Sequence, residues 1–317
     1  MKKPFNSVRL AGYLYDHKLV HKVSGPASKT PGVPFYTGTI DVATDDDCLN
    51  IVTVHYTFVP PTNSKGENQL YKTLDNIYNG TYKTVLNSSV DEAYKLRADT
   101  SLSLNEFYTD RNGEEELVSA KRNEGGFIHG LNALPTNIDE RNLFDVDMVI
   151  LGVSYVEGDA ERDENDYVTV KGAIFDYRKT LMPYEFKVVD KKAMNYFEDL
   201  EVSKNHPVFT HLKGRQISSV TRRKITEEGA FGEDYVREVV NSRKEYILHW
   251  AAKETYPFDD PDTLTAAELK TMLGQRNVYL SNLKQRYHDY KNSKTTATNA
   301  KEPAIVAKNL VDDDWDF

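Results

Sequence analysis

Asp147, Glu185 and Lys187 have the residue types that cut phosphodiesters with a metal ion. Asp147 opens the predicted strand Asp147–Val156, and Glu185 and Lys187 share one face of another, Leu181–Val189. Carboxylates with a lysine beside them can hold Mg²⁺ and activate water. The Glu-x-Lys spacing is common by chance, however, and no proline precedes Asp145 or Asp147. The sequence has no H-E-x-x-H, no Walker loop and no Gly-x-Gly-x-x-Gly. Asp45-Asp46-Asp47 reads as a hairpin turn. Cys48, the only cysteine, reads as a packing residue at a strand start. A single cysteine leaves no intramolecular disulfide and no thiolate zinc site, which fits a reducing compartment.

A second chemistry is binding without bond breaking. Arg9, Tyr13 and Tyr15 fall on one face of a period-2 segment. Tyr167, Lys171, Phe175 and Tyr177 give another such row, continued by Arg178 and Lys179. From Val202 to Thr226 there is no Asp or Glu, while Lys204, Lys213, Arg215, Arg222, Arg223 and Lys224 surround Phe209. Aromatic faces that stack bases, beside cations that take phosphates, are what sequence-independent binding of single strands requires. The same rows also read as ordinary half-buried sheet faces, and Arg222–Lys224 as a solvated loop.

Most of these residues sit on strands. Val8, Leu10 and Leu14 alternate with Arg9, Tyr13 and Tyr15, so Ser7–Tyr15 reads as a strand. Further strands are predicted at Phe35–Ala43 and Leu49–Val59, a helix at Asn68–Tyr78, then strands at Ala93–Leu104, Glu116–Lys121 and Gly126–Leu131. After the link Pro135–Asn142 the order restarts with Asp147–Val156, Tyr167–Arg178, Leu181–Val189, a helix at Lys191–Leu200, and strands at Val208–Ser219 and Tyr235–Lys253. Val8-Arg-Leu-Ala-Gly12 echoes Met148-Val-Ile-Leu-Gly152, and Gly38-Thr-Ile40 echoes Gly172-Ala-Ile174. A helix is predicted over Asp262–Lys291, opened by the capping box Thr265-Ala-Ala-Glu268, with Leu269, Leu273, Leu280, Leu283, Tyr287 and Tyr290 on one stripe. Asn292–Asn309 reads as a flexible linker.

The 317 residues suffice for one large domain or two ordinary ones, and 39% hydrophobic content points to a packed core. No apolar run is long enough to span a membrane, and the opening residues lack a signal-peptide core, so a cytoplasmic location is expected. A net charge of −9 argues against a uniformly basic nucleic-acid binder, but the acid is segregated at the C-terminal end.

That end carries a resemblance. Asp312-Asp313-Asp314-Trp315-Asp316-Phe317 resembles the tail of bacterial and phage single-stranded DNA-binding proteins, and Asn6–Leu14 with Phe35–Ile40 is similar to the first strands of their OB-fold. The chain departs from the short bacterial form in its length and its second β module. The expected architecture is mainly β: two OB-like barrels at 1–134 and 143–258, a C-terminal helix at 262–291, and a disordered linker and acidic tail at 292–317. The resemblance implies coating of single-stranded DNA in replication, recombination or repair, no cofactor, no membrane, and recruitment of replication proteins by residues 312–317. It leaves a homo-oligomer open. The alternatives are a metal-dependent PD-(D/E)xK-like nuclease using Asp147, Glu185 and Lys187, and a non-enzymatic phage structural or adaptor protein.

Overall fold

A computed structural model describes residues 4–158, 165–203, 205–227, 235–258, 260 and 262–298, with side chains described outside 219–243 and 294–298. The first half contains β1 (Asn6–His17), β2 (Val20–Val23), β3 (Pro34–Ala43), β4 (Ile51–Val59), the short hairpin β5 (Thr62–Asn63) and β6 (Gly66–Glu67), α1 (Gln69–Tyr78), β7 (Lys95–Arg111) and β8 (Glu114–Gly130). The second contains β9 (Asn142–Val156), β10 (Tyr167–Phe175), β11 (Leu181–Val188), α2 (Lys191–Glu198), β12 (Val208–Glu227) and β13 (Tyr235–Ala251). Helix α3 spans Ala266–Thr298.

The pairings close two five-membered rings. In the first, β1 pairs with β3, β3 with β4, β4 with β8 in parallel, β8 with β7, and β7 returns to β1. In the second, β9, β10, β11, β13 and β12 repeat the order, and β11–β13 is again the parallel pair. A five-stranded barrel with this Greek-key order, and a helix between its third and fourth strands, is the OB-fold. The molecule is mainly β and contains this barrel twice. Between them, Asn6–Leu10 of β1 pairs antiparallel with Asn142–Val146 of β9, joining both rings into one eleven-stranded sheet.

Alternation drives the strands inward. Val8, Leu10 and Leu14 of β1 and Val146, Met148 and Ile150 of β9 are fully buried in one shared core with Leu96, Phe144 and Phe186. Each short helix is capped by a side chain: Asn68 accepts from the Leu70 N–H at 3.2 Å, and Asp190 from the Ala193 N–H at 2.9 Å. The capping box forms as read, with the Glu268 N–H on Thr265 Oγ1 and the Thr265 N–H on Glu268 Oε2.

Three sequence expectations change. The two segments 116–121 and 126–131 belong to one strand, β8, which continues through a bulge at Gly125-Gly126, both at positive φ. Helix α3 runs through residues 292–298, where a linker was expected. Its packed face is also shifted. Leu269 and Leu283 are buried, but Leu273 is 42% exposed, and Arg276 lies on the buried side. The acidic residues 312–317 lie outside the described residues.

The arms β7–β8 and β12–β13 reach across the β1–β9 seam. Gln216 of β12 and Asn123 of β8 exchange two amide hydrogen bonds of 2.8 and 2.9 Å, both side chains being buried. Asn142 brackets the Gln216 backbone, and Asn50 accepts from the Ser218 N–H at 2.7 Å.

The glycine echo has a structural meaning. Gly38 and Gly172 occupy the second strand of their barrels beside a register shift, and a Cβ there would lie 2.1 Å from the Lys18 carbonyl and 2.0 Å from that of Val149. Gly172→Ala should therefore cost about 1–3 kcal/mol or more, because the neighbour is backbone. Gly152→Ala, with nothing within 4 Å, should stay within about 0.5 kcal/mol. Urea unfolding of the two variants checks this, and equal midpoints would contradict the packing.

Candidate nucleic-acid interface

Along β10, Val168 and Val170 point into the second barrel, so Tyr167, Thr169 and Lys171 point out. Cross-strand register sets Thr169 against Lys187 and Lys171 against Glu185 on β11. The parallel β11–β13 contact is thin, a single Lys187–Ile247 pair, and beside it lies a cleft of about 190 Å³. Tyr167, Thr169, Glu185, Lys187, Lys244 and Glu245 line it, and Lys121 reaches it from β8 of the first barrel.

The cleft contains three ammonium groups. Lys187 Nζ is 2.9 Å from Glu245 Oε1 and 3.9 Å from the centre of the Tyr167 ring. Lys121 Nζ donates to the Glu185 carbonyl at 2.8 Å and sits 5.1 and 5.3 Å from the Tyr184 and Tyr246 rings. Burial holds Lys121 below the ordinary lysine pKa, partly opposed by Glu185, and holds Lys244 down in the same way, opposed by Asp41. Two cations penalised by lost hydration are the groups that gain most when an anion arrives.

A different arrangement covers the seam. The outward residues of β7, β1, β9 and β12 form one face carrying Arg9, Tyr13, Lys213 and Arg215, with exposed Phe5, Phe127 and Trp250 beside them. Here the cations are matched by acids. Asp99 faces Arg9 at 3.7 Å, Arg97 at 2.8 Å and His129 at 3.2 Å. Lys213 is 3.6 Å from Asp145, and Arg215 pairs with Asp139. Tyr13 lies under Lys95, 6.0 Å from its ring, and burial with the nearby Asp46 raises its pKa. Tyr15 is half-buried farther along β1.

The remaining sequence candidates scatter. Phe175 and Phe209 face outward from their barrel as period 2 implies, but Tyr256, Phe258, Leu264 and Leu269 fold over them into a second small core. They are packing residues and offer no stacking face. Tyr177 is 70% exposed in the turn after β10, with the Arg178 guanidinium 5.0 Å from its ring, and Lys179 takes φ +65° there. Arg222, Arg223 and Lys224 lie on β12, but their side chains are outside the described residues, as are Asp312, Asp313, Asp314, Trp315, Asp316 and Phe317.

The nuclease set is not brought together. Asp147 accepts from the Phe5 N–H at 2.7 Å, pairs with His211 Nδ1 at 2.7 Å and accepts from the Tyr256 hydroxyl, while Glu185 and Lys187 line the cleft. Among the described residues no cluster of His, Cys, Asp and Glu is arranged to hold a metal ion, and no helix is long and apolar enough to cross a membrane. Sequence reading missed Lys121, Lys244 and Trp250. Only the cross-strand register, which sets Lys213 beside Trp250, reveals such neighbours.

A family model described as YorF matches residues 6–286. The chain belongs to the YorF family. No curated protein matches its sequence. Among solved structures, this YorF-family chain is similar to wild-type single-stranded DNA binding protein from Thermus aquaticus, with 9% identity and a TM-score of 0.45 over 84% of this chain and 98% of that one. A deletion mutant of the same Thermus aquaticus protein gives 10% identity and a TM-score of 0.43 over 82% and 100% of the two chains.

Burial separates two kinds of aromatic residue in this family member. Phe175→Ala should cost about 3–5 kcal/mol of stability, whereas Tyr177→Ala should change it by less than about 0.5 kcal/mol. Chemical denaturation reads both, and a silent Phe175→Ala would contradict the second core.

Proposed function

We propose that the chain binds single-stranded DNA without sequence preference, using the β10–β11 face of its second barrel. The observation that carries this reading is the cleft at Tyr167: an aromatic ring and Lys187 on the second and third strands of an OB-barrel, with Lys244 of its fifth strand and Lys121 of the other barrel beside them. In that fold this surface takes oligonucleotides. Stacking on a ring tolerates any base, and ammonium groups take phosphates regardless of sequence, so one geometry supplies affinity without readout. No bond is made or broken, and no cofactor enters. The outer seam face supports the reading less well, because Arg9, Lys213 and Arg215 each face a carboxylate, whereas Lys121 in the cleft is held by a backbone carbonyl.

The finer reading extends to role. We infer coating and protection of single strands during replication, recombination or repair, with Asp312–Phe317 docking a partner through its aromatic and acidic side chains. The support for this is the sequence pattern of the tail.

Fluorescence anisotropy of labelled oligo-dT and of duplex DNA, at two salt concentrations, tests the first reading. Tight, salt-weakened binding to oligo-dT with little duplex affinity is expected. No binding at low salt would overturn it. Tyr167→Ala should weaken binding by about 1–3 kcal/mol and leave the melting temperature in place.

The lowered lysines give a pH dependence with a definite sign. Lys121 and Lys244 lose their protons at lower pH than ordinary lysines, so affinity should fall as pH rises on the alkaline side, before exposed lysines titrate. Arginine at both positions should flatten that fall, and an unchanged profile would count against their role. Deleting Asp312–Phe317 should leave folding intact and keep or raise DNA affinity. A loss of binding would contradict the tail reading.

A further inference from the structure

The cleft is not made by the second barrel alone. Lys121 belongs to β8, in the arm of the first barrel, and it crosses to the Glu185 carbonyl of β11. One of its three donors is used there. Lys187 and Lys244 stand on β11 and β13 of the other barrel. Among the described residues that line the cleft, the acids against them are Glu185 and Glu245, so an incoming anion meets more positive than negative charge there.

Helix α3 reaches the same arm from the opposite direction. It begins on the second barrel, where Leu269 packs with Phe175, Leu181 and Phe209. It then crosses to the arm of the first. Arg276 engages both carboxylate oxygens of Glu106 on β7, with Nη1 2.5 Å from Oε2, and the side chains are 11% and 2% exposed. Farther along, Lys284 and His288 face Glu115 at 3.6 and 3.4 Å, and Lys291 faces Asp110 at 3.0 Å. These arm residues share one face with Lys121. Glu106 is paired across the ladder with Ser119, and the Ser119 hydroxyl donates to Glu106 Oε1 at 2.8 Å. Lys121 follows two residues later, hence on the same side of the strand.

We propose that the cleft is a composite phosphate-binding subsite built from both barrels, and that α3 sets its affinity by holding Lys121 in place through the chain Arg276–Glu106–Ser119. This rests on the single-strand reading above. The ligand class is the phosphodiester of a single strand, seated between Lys121, Lys187 and Lys244 with a base beside Tyr167. Lys121 makes the contact, and Arg276 is a positioning residue. A strand bound there is sensed by both barrels and by the helix that spans them.

The test uses the full chain, labelled oligo-dT and a salt series, with thermal melts of every variant. Lys121→Ala should weaken binding several-fold and lower the slope of log affinity against log salt by about 1. Arg276→Met should weaken binding comparably, and Lys121→Ala with Arg276→Met should be no weaker than Lys121→Ala alone, because both remove one contact. The variant E106Q/R276M, which removes both buried charges, replaces Arg276→Met if that protein fails to fold. A wild-type slope in Lys121→Ala overturns the composite site. Additive losses overturn the part assigned to α3. Absence of oligo-dT binding by the wild type overturns the single-strand reading itself, so the two failures are told apart.

Discussion

The antiparallel pairing of Asn6–Leu10 with Asn142–Val146 is the constraint on which the rest of the molecule depends. It turns two closed barrels into one sheet and sets their relative orientation residue by residue, since a one-residue slip would turn every side chain to the wrong face. Asn6 reinforces it at the first paired position. Its amide donates to the Leu102 carbonyl at 2.9 Å and to the Phe175 carbonyl at 2.7 Å, while its Oδ1 accepts from the Leu102 N–H. One short side chain thus ties β1 to an arm strand of its own barrel and to the end of β10 in the other.

With that orientation set, each arm must lie against the opposite barrel, and the contacts are polar. The reciprocal Asn123–Gln216 amide pair leaves no slack, because an unmatched buried amide costs about 1–3 kcal/mol. A satisfied polar network of this kind is directional where an apolar contact is not. The same logic applies to Glu106 and Arg276, whose separation would strand a buried charge. Register and angle between the barrels are therefore held by groups that tolerate few alternatives, and the geometry of the Tyr167 cleft inherits that rigidity.

Much of this was legible in the residues. Period 2 at Val8, Leu10 and Leu14, the strand–strand–strand–helix order repeated after residue 142, and the capping box at Thr265–Glu268 lead to two OB-like barrels and a terminal helix without any structure. The candidate site was legible only in part. Tyr167 and Lys171 do share an open face, but Phe175 and Phe209 sit under Tyr256, Phe258, Leu264 and Leu269, which no local pattern announces. Periodicity says which way a side chain points and is silent on what later packs over it. Lys121 was hidden for the reverse reason: it lies beyond an acidic hairpin tip, Glu114-Glu115-Glu116, and acquires meaning only when β8 is carried across to β11. The stripe read on α3 holds only in part: Leu269 and Leu283 are buried and Leu273 and Tyr290 are exposed, because the helix is also fastened by ion pairs such as Arg276–Glu106, which leave no hydrophobic signature.

Ring closure has one further effect. Within the large sheet, every described strand except β2 has partners on both sides. A row of unpaired backbone groups is the usual template on which folded chains add to one another and aggregate. Here the rings close that row off within the barrels and leave it at Val20–Val23 and along the arms, where Ser101–Arg111 of β7 and Arg215–Glu227 of β12 have ladder partners only in β8 and β13. Crowded molecules are therefore guarded at the barrels, and the projecting arms are the stretches through which their sheets could fuse.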